Sequence, residues 1–374
     1  MIDTRKLYRL PWTLEHNANG WIEPTTHCQL KCPFCYRGAH LDGFRPEHMP
    51  LAAAKREADE LIRLRRVGTI TIAGGDPLLY PDLIELIDHI RSRDVEVMVL
   101  TNGIALDQRM LETLKEHGTV RVVIHIDKHQ GRPGIHTEAA ANVLRHSFCE
   151  LARKVGGITI GFIQPIRWED LDDLEVMIPF FKDNADVVDL VTFNRLLTVE
   201  KGTTDPRALD AAALFERFRQ IYGLEYAAYL GKTHSTDIGW VLGMAVFSGK
   251  HFLGCVDKDA FRYFQEREVR RTGKFPYTTR SGLTTSLLSR VPFNRSLRNI
   301  SWRYLRQRAS NGTINGDGHS LHVQRVLLVN PPQRLPDGEL DRCKGCPDAM
   351  LYKGKLVPSC WLENIKNGQM VLAM

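Results

Sequence analysis

Six times between residues 18 and 222, a short run rich in β-branched residues is followed by a longer stretch with the apolar period of an amphipathic helix. Continuous apolar runs of this kind are typical of parallel strands with helices outside. We therefore predict an α/β fold, either a partial barrel or a doubly wound sheet. The predicted strands are 20–24, 68–75, 95–103, 120–127, 157–165 and 187–194, and the predicted helices are 50–66, 80–93, 106–117, 136–155, 169–184 and 205–222.

Polar residues and glycines cluster just after these predicted strands, at 28–35, 74–76, 101–103 and 127–132. In a parallel α/β protein the carboxyl ends of the strands meet at one edge of the sheet, and ligands bind there. We therefore expect these four loops to build a binding site.

The C-terminal part of the chain has a different character, because the alternation stops near residue 225. Residues 226–374 are richer in glycine, proline and basic residues and contain four of the eight cysteines. We predict an irregular α+β region there, held together partly by metal. The predicted domains are an N-terminal extension over 1–17, a core over 18–225 and this C-terminal region over 226–374.

The composition of the 374 residues is that of an ordinary soluble globular protein, and the lack of targeting and membrane signals predicts a cytoplasmic location, where thiols stay reduced. No early basic stretch precedes an apolar run, so we expect no signal peptide. The longest apolar segment, 240–247, is too short to cross a bilayer, so we expect no transmembrane segment. In this setting cysteines serve metal binding or catalysis rather than disulfides. Cys149 lies in a helical pattern and is predicted to be a buried packing thiol.

Three cysteines, Cys28, Cys32 and Cys35, occupy eight positions after the first predicted strand. Their spacing, C-x3-C-x2-C, lets three thiolates meet one inorganic centre. A structural zinc ion normally takes four ligands, and His27 is poorly placed as the fourth because it adjoins Cys28. A four-iron cluster held by three thiolates leaves one iron free to bind a substrate or cofactor.

These motifs resemble those of the radical S-adenosylmethionine (SAM) superfamily. That family has C-x3-C-x2-C after the first strand, with an aromatic residue before the third cysteine, here Phe34. A GGEP-like motif follows its second strand, here GGDP at 74–77, with Asp in place of the commoner Glu. TNG at 101–103, after the third strand, is a further match. The resemblance covers about 18–222 and implies a (β/α)6 partial TIM barrel.

The resemblance implies two cofactors, a 4Fe–4S cluster on Cys28, Cys32 and Cys35, and SAM on the remaining iron. It implies that one electron from the cluster cleaves SAM to a 5′-deoxyadenosyl radical, which abstracts a hydrogen atom from the substrate. Glycines in GGDP would let backbone carbonyls approach the SAM ammonium. The residues that the resemblance places at the cofactor are Phe34, Gly74, Gly75, Asp76, Pro77, Asn102 and Asp127.

A second cysteine set has the spacing C-x2-C-x13-C, at Cys343, Cys346 and Cys360, with Cys255 upstream as the candidate fourth ligand. Four thiolates suit either zinc or a fully ligated 4Fe–4S cluster. The set is similar to the SPASM or twitch extensions of radical SAM enzymes. That similarity implies one auxiliary 4Fe–4S cluster that aids electron transfer. If one cysteine is absent from the ligand set, the substrate could bind this cluster directly.

Two segments are candidates for contact with the substrate. The first is the loop 125–134, in which Lys128 and Arg132 would bind an anion; the alternative is a solvated loop. The second is 261–310, which has twelve Lys and Arg against two acids in a chain of net charge +6. That excess favours an anionic partner, although a solvated surface explains it equally well. The predicted substrate residues are Lys128, His129, Gln130 and Arg132.

These inferences predict a radical SAM enzyme that acts on an unactivated carbon of a small-molecule or lipid-like substrate, with an anionic group as one option. A one-electron reductant such as flavodoxin or ferredoxin would be its partner, and we expect no stable nucleic-acid complex. One alternative is a radical SAM maturase of a ribosomal peptide. An alternative of a different class is a zinc-containing nucleic-acid-binding protein, which would leave GGDP and the first three cysteines without a role.

Overall fold

The computed structural model describes residues 2–40, 42–196, 210–277, 291–310, 320–335 and 340–366. The six predicted strands are present; the last predicted helix is described from Ala211, and 205–209 lie outside the described residues. The strands of the first part are β1 (Tyr8–Arg9), β2 (Asn19–Thr25), β3 (Thr69–Gly74), β4 (Glu96–Thr101), β5 (Thr119–His125), β6 (Thr159–Ile166) and β7 (Val188–Arg195). The helices are α1 (Leu51–Arg65), α2 (Leu83–Arg91), α3 (Gln108–Glu116), α4 (Glu138–Val155), α5 (Leu174–Asp183) and α6 (Ala211–Tyr222).

Local sequence signals explain several of these boundaries. The side chains of Asp107, Thr137 and Asp210 accept hydrogen bonds from backbone N–H groups in the first turns of α3, α4 and α6. Side-chain oxygens at this position satisfy amide groups that have no partner within the helix. Gly223 ends α6 with a φ of 73°, a conformation that glycine adopts without strain.

The C-terminal region contains more regular structure than we predicted. Its elements are β8 (Tyr226–Gly231), β9 (Ile238–Ser248), β10 (His251–Cys255), α7 (Lys258–Thr272), α8 (Arg295–Ser310), β11 (Leu321–Val329), β12 (Gln333–Arg334), β13 (Leu340–Asp341), β14 (Ala349–Tyr352), β15 (Lys355–Pro358) and α9 (Leu362–Lys366). Strands β8, β9, β10 and β11 of this region belong to the main sheet. Several of them are antiparallel neighbours that need no helix between them, so the strand–helix alternation ends while the sheet continues.

The main sheet of the described residues has eleven strands in the order β1-β8-β9-β11-β7-β6-β5-β4-β3-β2, with β10 paired to β9. Strands β2 to β7 are parallel, and β11 adds a further parallel strand beside β7. Strand β9 is antiparallel to both β11 and β8. The sheet is open, with β1 and β2 at its two ends, so the parallel-dominated α/β architecture is confirmed without a closed barrel.

The two faces of the sheet have separate cores. On the outer face, residues such as Ile72, Val99 and Phe193 pack against α1 to α6. On the inner face, residues such as Met98 and Leu327 pack with α7, α8 and the segment 343–349. Cys149 is fully buried in the outer core, as predicted for a packing thiol. No helix among the described ranges is both long and apolar enough to cross a membrane.

Helix α8, a strongly basic part of the predicted anion-binding segment 261–310, does not face the first cysteine loop. Helix α8 packs against β10, and Arg303 donates a hydrogen bond from Nη1 to the carbonyl of Leu253 at 3.0 Å. Strand β10 pairs with residues 245–248, the end of β9 remote from the carboxyl edge of the parallel strands. A direct role for this segment in the site at that edge is therefore not supported.

A buried ion pair joins two strands across the inner face. Arg121 of β5 donates to Asp189 of β7 through Nε at 2.6 Å and Nη2 at 2.5 Å, and Arg325 of β11 approaches the same carboxylate at 3.4 Å. All three residues are buried. Removal of one partner from a buried ion pair is more costly than the loss of an exposed pair.

We predict that Asp189→Ala lowers the free energy of unfolding by about 3–5 kcal/mol because it removes the buried carboxylate that Arg121 and Arg325 share. Chemical denaturation monitored by circular dichroism measures this change. The matched control is Glu216→Ala, which removes the partner of Arg219 on the surface of α6 and should change stability little. Equal stability of the two variants would contradict the importance of the inner pair.

Candidate functional site

The first cysteine loop follows β2 at the carboxyl edge of the sheet. Cys28, Cys32 and Cys35 are all partly accessible, and the Cys35 N–H donates to the Cys32 carbonyl at 3.1 Å. Burial raises the pKa of the Cys28 thiol and raises that of Cys32 to about 12, and the charge of Cys35 adds to both shifts. The three sulfurs therefore share one partly buried space in which a positively charged group would stabilise the thiolates.

The GGDP backbone lies directly against the start of this loop. A Cβ atom on Gly75 would stand 2.2 Å from the His27 carbonyl oxygen, and one on Gly74 would stand 2.3 Å from that of Thr25. The Gly75 N–H donates to Thr25 at 2.9 Å, and the next N–H donates to His27 at 2.6 Å. No side chain fits between the two segments, so the glycines set the distance between the end of β3 and the cysteine loop.

Asp76 points into the protein and joins the end of β3 to the end of β4. Its carboxylate accepts hydrogen bonds from the Thr101 hydroxyl at 2.8 and 2.9 Å and from the Asn102 N–H at 3.0 Å. Pro77 begins a short 3-10 turn that the same carboxylate caps through Leu78 N–H at 3.0 Å. The Asp76 side chain thus positions the TNG turn, and any contact of GGDP with a cofactor is left to its backbone.

Asn102 faces the first cysteine loop, and its contact with a cofactor stays a prediction. Its amide Nδ2 donates to Gln29 Oε1 at 2.8 Å and lies 3.5 Å from the Cys28 sulfur. Its Oδ1 accepts the Ile104 N–H at 2.8 Å, which fixes the orientation of the amide. A hydrogen bond to a cluster sulfur is one of the factors that set its reduction potential.

The loop after β5 is tied to the same turn. Asp127 accepts from the His125 ring at 2.5 Å and from the His129 N–H at 2.6 Å, so its carboxylate caps the loop. Arg132 is buried and donates to the Asn102 carbonyl at 2.5 Å and to Gln130 Oε1 at 2.7 Å. Gln130 and Arg132 therefore hold the TNG turn in position through the Asn102 carbonyl. Contact between Asp127 and a cofactor stays a prediction.

Lys128 is not a free cation for a substrate. Its ammonium lies 3.0 Å from Asp170 and 2.5 Å from Asp173, in the 3-10 turn before α5. His129 contacts Asp170 at 3.0 Å, and its ring meets the edge of Phe34. Anion binding through Lys128 is thus not supported, because two carboxylates already neutralise its charge. The network instead holds His129 against the ring of Phe34, the aromatic residue within the cysteine loop.

The second cysteine segment bridges the two ends of the open sheet. On one side the Lys344 N–H donates to the Gly231 carbonyl of β8 at 2.8 Å. On the other side Asn17 Nδ2 donates to the Gly345 carbonyl at 2.9 Å, and Arg65 Nη2 donates to the Cys346 carbonyl at 2.7 Å. Buried polar groups of the N-terminal part thus hold Cys343–Cys346 in place.

The thiols of Cys343, Cys346 and Cys360 are close neighbours. Burial raises the pKa of Cys346 well above the usual value, and the charges of Cys343 and Cys360 add to the shift. Cys343 and Cys346 are buried, whereas Cys360 is exposed. These three cysteines form one group, and their role as cluster ligands stays a prediction.

Cys255 does not belong to this group, so its prediction as the fourth ligand is wrong. Gly239, at the start of β9, is in contact distance of the Cys343 sulfur, because a Cβ there would lie 3.1 Å from it. Cys255 pairs with Ala245, six residues farther along the same strand, a separation of roughly 20 Å. Its sulfur accepts the Glu225 N–H at 3.3 Å instead.

A polar network that the sequence analysis missed joins the two cysteine segments. Glu23 of β2 accepts from the Tyr36 hydroxyl at 2.9 Å and lies 3.0 Å from Arg37 Nε. The other end of Arg37 contacts Glu363 at 2.6 Å. Tyr36 and Arg37 follow Cys35, and Glu363 lies three residues after Cys360. Glu363 lies more than three hundred residues after Arg37 in the sequence. No local sequence pattern could therefore have predicted their contact.

The thiolates of both cysteine groups suit a four-iron cluster. No group of three or more His, Cys, Asp or Glu side chains in the described part of the chain is arranged around one metal ion. A four-iron cluster takes each thiolate on a different iron, so its ligands need not converge on one point. At the second group, the buried Arg65 Nη1 has no hydrogen-bond partner among the described residues, as expected beside an anionic cluster.

Comparison with known proteins identifies the first part of the chain. Residues 22–175 match the family model described as the Radical SAM superfamily. The chain carries a radical SAM domain. The match includes the first three cysteines, GGDP and TNG, and such domains hold a 4Fe–4S cluster together with SAM. The residues around Cys28 fit these cofactors, because the partly accessible Gly74 and Gly75 lie directly against the loop that carries three half-buried thiols.

Curated relatives of the radical SAM domain include a probable GTP 3′,8-cyclase of Pyrococcus abyssi, 34% identical over 29% of this chain and 35% of that protein. Another is 7,8-dihydro-6-hydroxymethylpterin dimethyltransferase of Methanocaldococcus jannaschii, 29% identical over 46% of this chain and 35% of that protein. The chain spans about a third of the length of these relatives. Among solved structures, SuiB of Streptococcus suis bound to SAM matches 55% of this chain and 47% of its own, with 17% identity and a TM-score of 0.44.

We predict that Gly75→Ala abolishes SAM binding by the radical SAM domain, since its methyl group would force GGDP away from His27. Equilibrium dialysis of SAM against anaerobically reconstituted protein measures this effect. The matched control is Gly231→Ala, a position with open space around the added methyl group, which should bind SAM as the parent does. Normal SAM binding by Gly75→Ala would show that the close approach of the two segments is dispensable.

Proposed function

We propose that this protein is an enzyme that cleaves SAM reductively and removes a hydrogen atom from an unactivated carbon of a small-molecule or lipid-like substrate. One observation carries the proposal. At the carboxyl edge of the sheet, the two glycines of GGDP lie directly against the loop that carries three half-buried thiols. When bound, the cluster supplies the electron that releases the 5′-deoxyadenosyl radical from SAM. The protein must hold the target carbon beside this radical and exclude water.

The residues around the first cysteine loop have supporting roles in this proposal. Cys28, Cys32 and Cys35 hold the cluster. Asn102 donates toward the Cys28 sulfur, and Arg132 adds a buried positive charge near it. The inner face of the sheet, with Trp21, Met98 and Val123 among its apolar residues, supplies a water-poor wall for the reaction.

An auxiliary 4Fe–4S cluster on Cys343, Cys346 and Cys360 forms the second part of the proposal. Cys343 and Cys346 are buried, Cys360 is exposed, and the group is linked to the first cysteine loop through Arg37 and Glu363. A role in electron transfer or in substrate binding suits this location. Zinc at this group is the alternative, and metal analysis separates the two.

The relatives support a small-molecule substrate over a ribosomal peptide. The names of the two curated relatives specify GTP and a pterin, which are both small heterocyclic molecules. A cytoplasmic location and a one-electron reductant such as flavodoxin or ferredoxin belong to the same proposal, because both cysteine groups require reduced thiols.

Anaerobic reconstitution of the full chain tests the proposal. We expect about eight irons and eight sulfides per chain if both groups hold four-iron clusters. The variant with Cys28, Cys32 and Cys35 all changed to Ala should lose about four irons and all formation of 5′-deoxyadenosine. The control Cys255→Ala should keep both. Retention of 5′-deoxyadenosine formation by the triple variant would refute the proposal, and stoichiometric zinc would refute its auxiliary cluster.

The substrate itself is sought with deuterated small-molecule candidates. A true substrate should transfer deuterium into 5′-deoxyadenosine, which mass spectrometry detects. A panel of peptides provides the comparison, because transfer from a peptide alone would favour the maturase alternative.

A further inference from the structure

Asp348 lies between two cysteines of the second group. It follows Cys346 by two residues in the same turn. Its carbonyl accepts the Ser359 N–H at 3.1 Å, which places it across the β14–β15 hairpin from the residue that precedes Cys360. The loss of Cys255 from this group leaves a ligand set of three thiols beside a carboxylate that the sequence analysis did not consider.

The Asp348 carboxylate is held on one side only. Oδ1 accepts a hydrogen bond from Asn19 Nδ2 at 3.2 Å, and the other end of Asn19 accepts the Thr71 hydroxyl at 3.0 Å, which fixes that amide. Within the part of the chain that the structure describes, Oδ2 has no hydrogen-bond donor. One oxygen is thus oriented by the protein and the other is free to bind.

The charges around the group favour a bound anionic cluster. The orphaned Arg65 Nη1 belongs to a guanidinium that already donates to the Cys346 carbonyl. On the opposite side, the buried Lys232 forms a backbone bridge with Cys343, and its ammonium contacts the Pro331 carbonyl at 3.1 Å. Two buried cations flank three thiols and a carboxylate, so a cluster with four anionic ligands would be well compensated.

We propose that Asp348 is the fourth protein ligand of the auxiliary cluster, through its free oxygen Oδ2. This inference rests on the auxiliary cluster of the proposed function. Carboxylate oxygens bind iron, and replacement of one thiolate by a harder ligand makes that iron the more exchangeable one. The auxiliary cluster would therefore have three thiolate-bound irons and one distinct iron bound by Asp348.

The test uses full-length protein in which Cys28, Cys32 and Cys35 are changed to Ala, so that only the auxiliary cluster remains. This parent is compared with Asp348→Asn, which preserves the shape of the side chain, and with Asp348→Cys, which offers a thiolate. The matched controls are Cys255→Ala and Asp341→Asn. Asp341 is a buried carboxylate two residues before Cys343, and its oxygens are occupied by Ser235 and the His234 N–H.

Iron content, Mössbauer spectra and electron paramagnetic resonance with and without added imidazole are the measurements. The parent should bind about four irons, one of them distinct, and should not respond to imidazole. Asp348→Asn should bind imidazole at the opened iron or lose that iron, whereas Asp348→Cys should retain four irons of one thiolate type. Both controls should behave as the parent.

Three outcomes would overturn the inference. An imidazole response of the parent would show that the fourth iron is open, and an unchanged spectrum of Asp348→Asn would show that the carboxylate is not a ligand. A parent without iron would show that no auxiliary cluster exists. That last result leaves SAM cleavage at the first cysteine loop intact, and 5′-deoxyadenosine formation by a variant with Cys343, Cys346 and Cys360 changed to Ala measures it separately.

Discussion

The contact between Gly75 and the His27 carbonyl is the constraint on which the site depends. A side chain at Gly75 would stand 2.2 Å from that oxygen, so only glycine lets the end of β3 reach the cysteine loop. The same turn continues into Asp76, whose carboxylate holds Thr101 and Asn102, and Arg132 then holds the Asn102 carbonyl. One close backbone approach therefore sets the positions of the loops after β2, β3, β4 and β5.

The second cysteine segment completes the inner face because it closes the gap between β8 and β2. Asn17 and Arg65 bind its backbone from the N-terminal part, and Arg37 reaches Glu363 from the first cysteine loop. Buried donors of this kind are costly to leave unpaired, so they fix the position of the segment against the core. The two cysteine groups consequently belong to one interdependent structure, although they are far apart in the sequence.

Local patterns predicted most of the parallel part of the fold. The six strands and helices between 18 and 222 have strong apolar periods, and Cys28, Gly75 and Asn102 came from short motifs at strand ends. The strands β8, β9 and β10 were missed because they follow one another without the alternating helices on which the prediction relied. Lys128 was predicted to bind an anionic substrate. Its true partners, Asp170 and Asp173, lie some forty residues away in the sequence, so the residues next to Lys128 did not indicate them.

The sequence by itself determined the chemistry available to this protein: three closely spaced thiols, a glycine turn and a second C-x2-C pair, all short-range features. Only the tertiary structure decided which of these groups meet. It separated Cys255 from Cys343 by half the length of β9 and brought Ser359, the neighbour of Cys360, against Asp348, which Asn19 binds from the N-terminal part. The reason is physical, since strand register and buried hydrogen bonds between distant segments set these separations, and neither is encoded in local residue spacing.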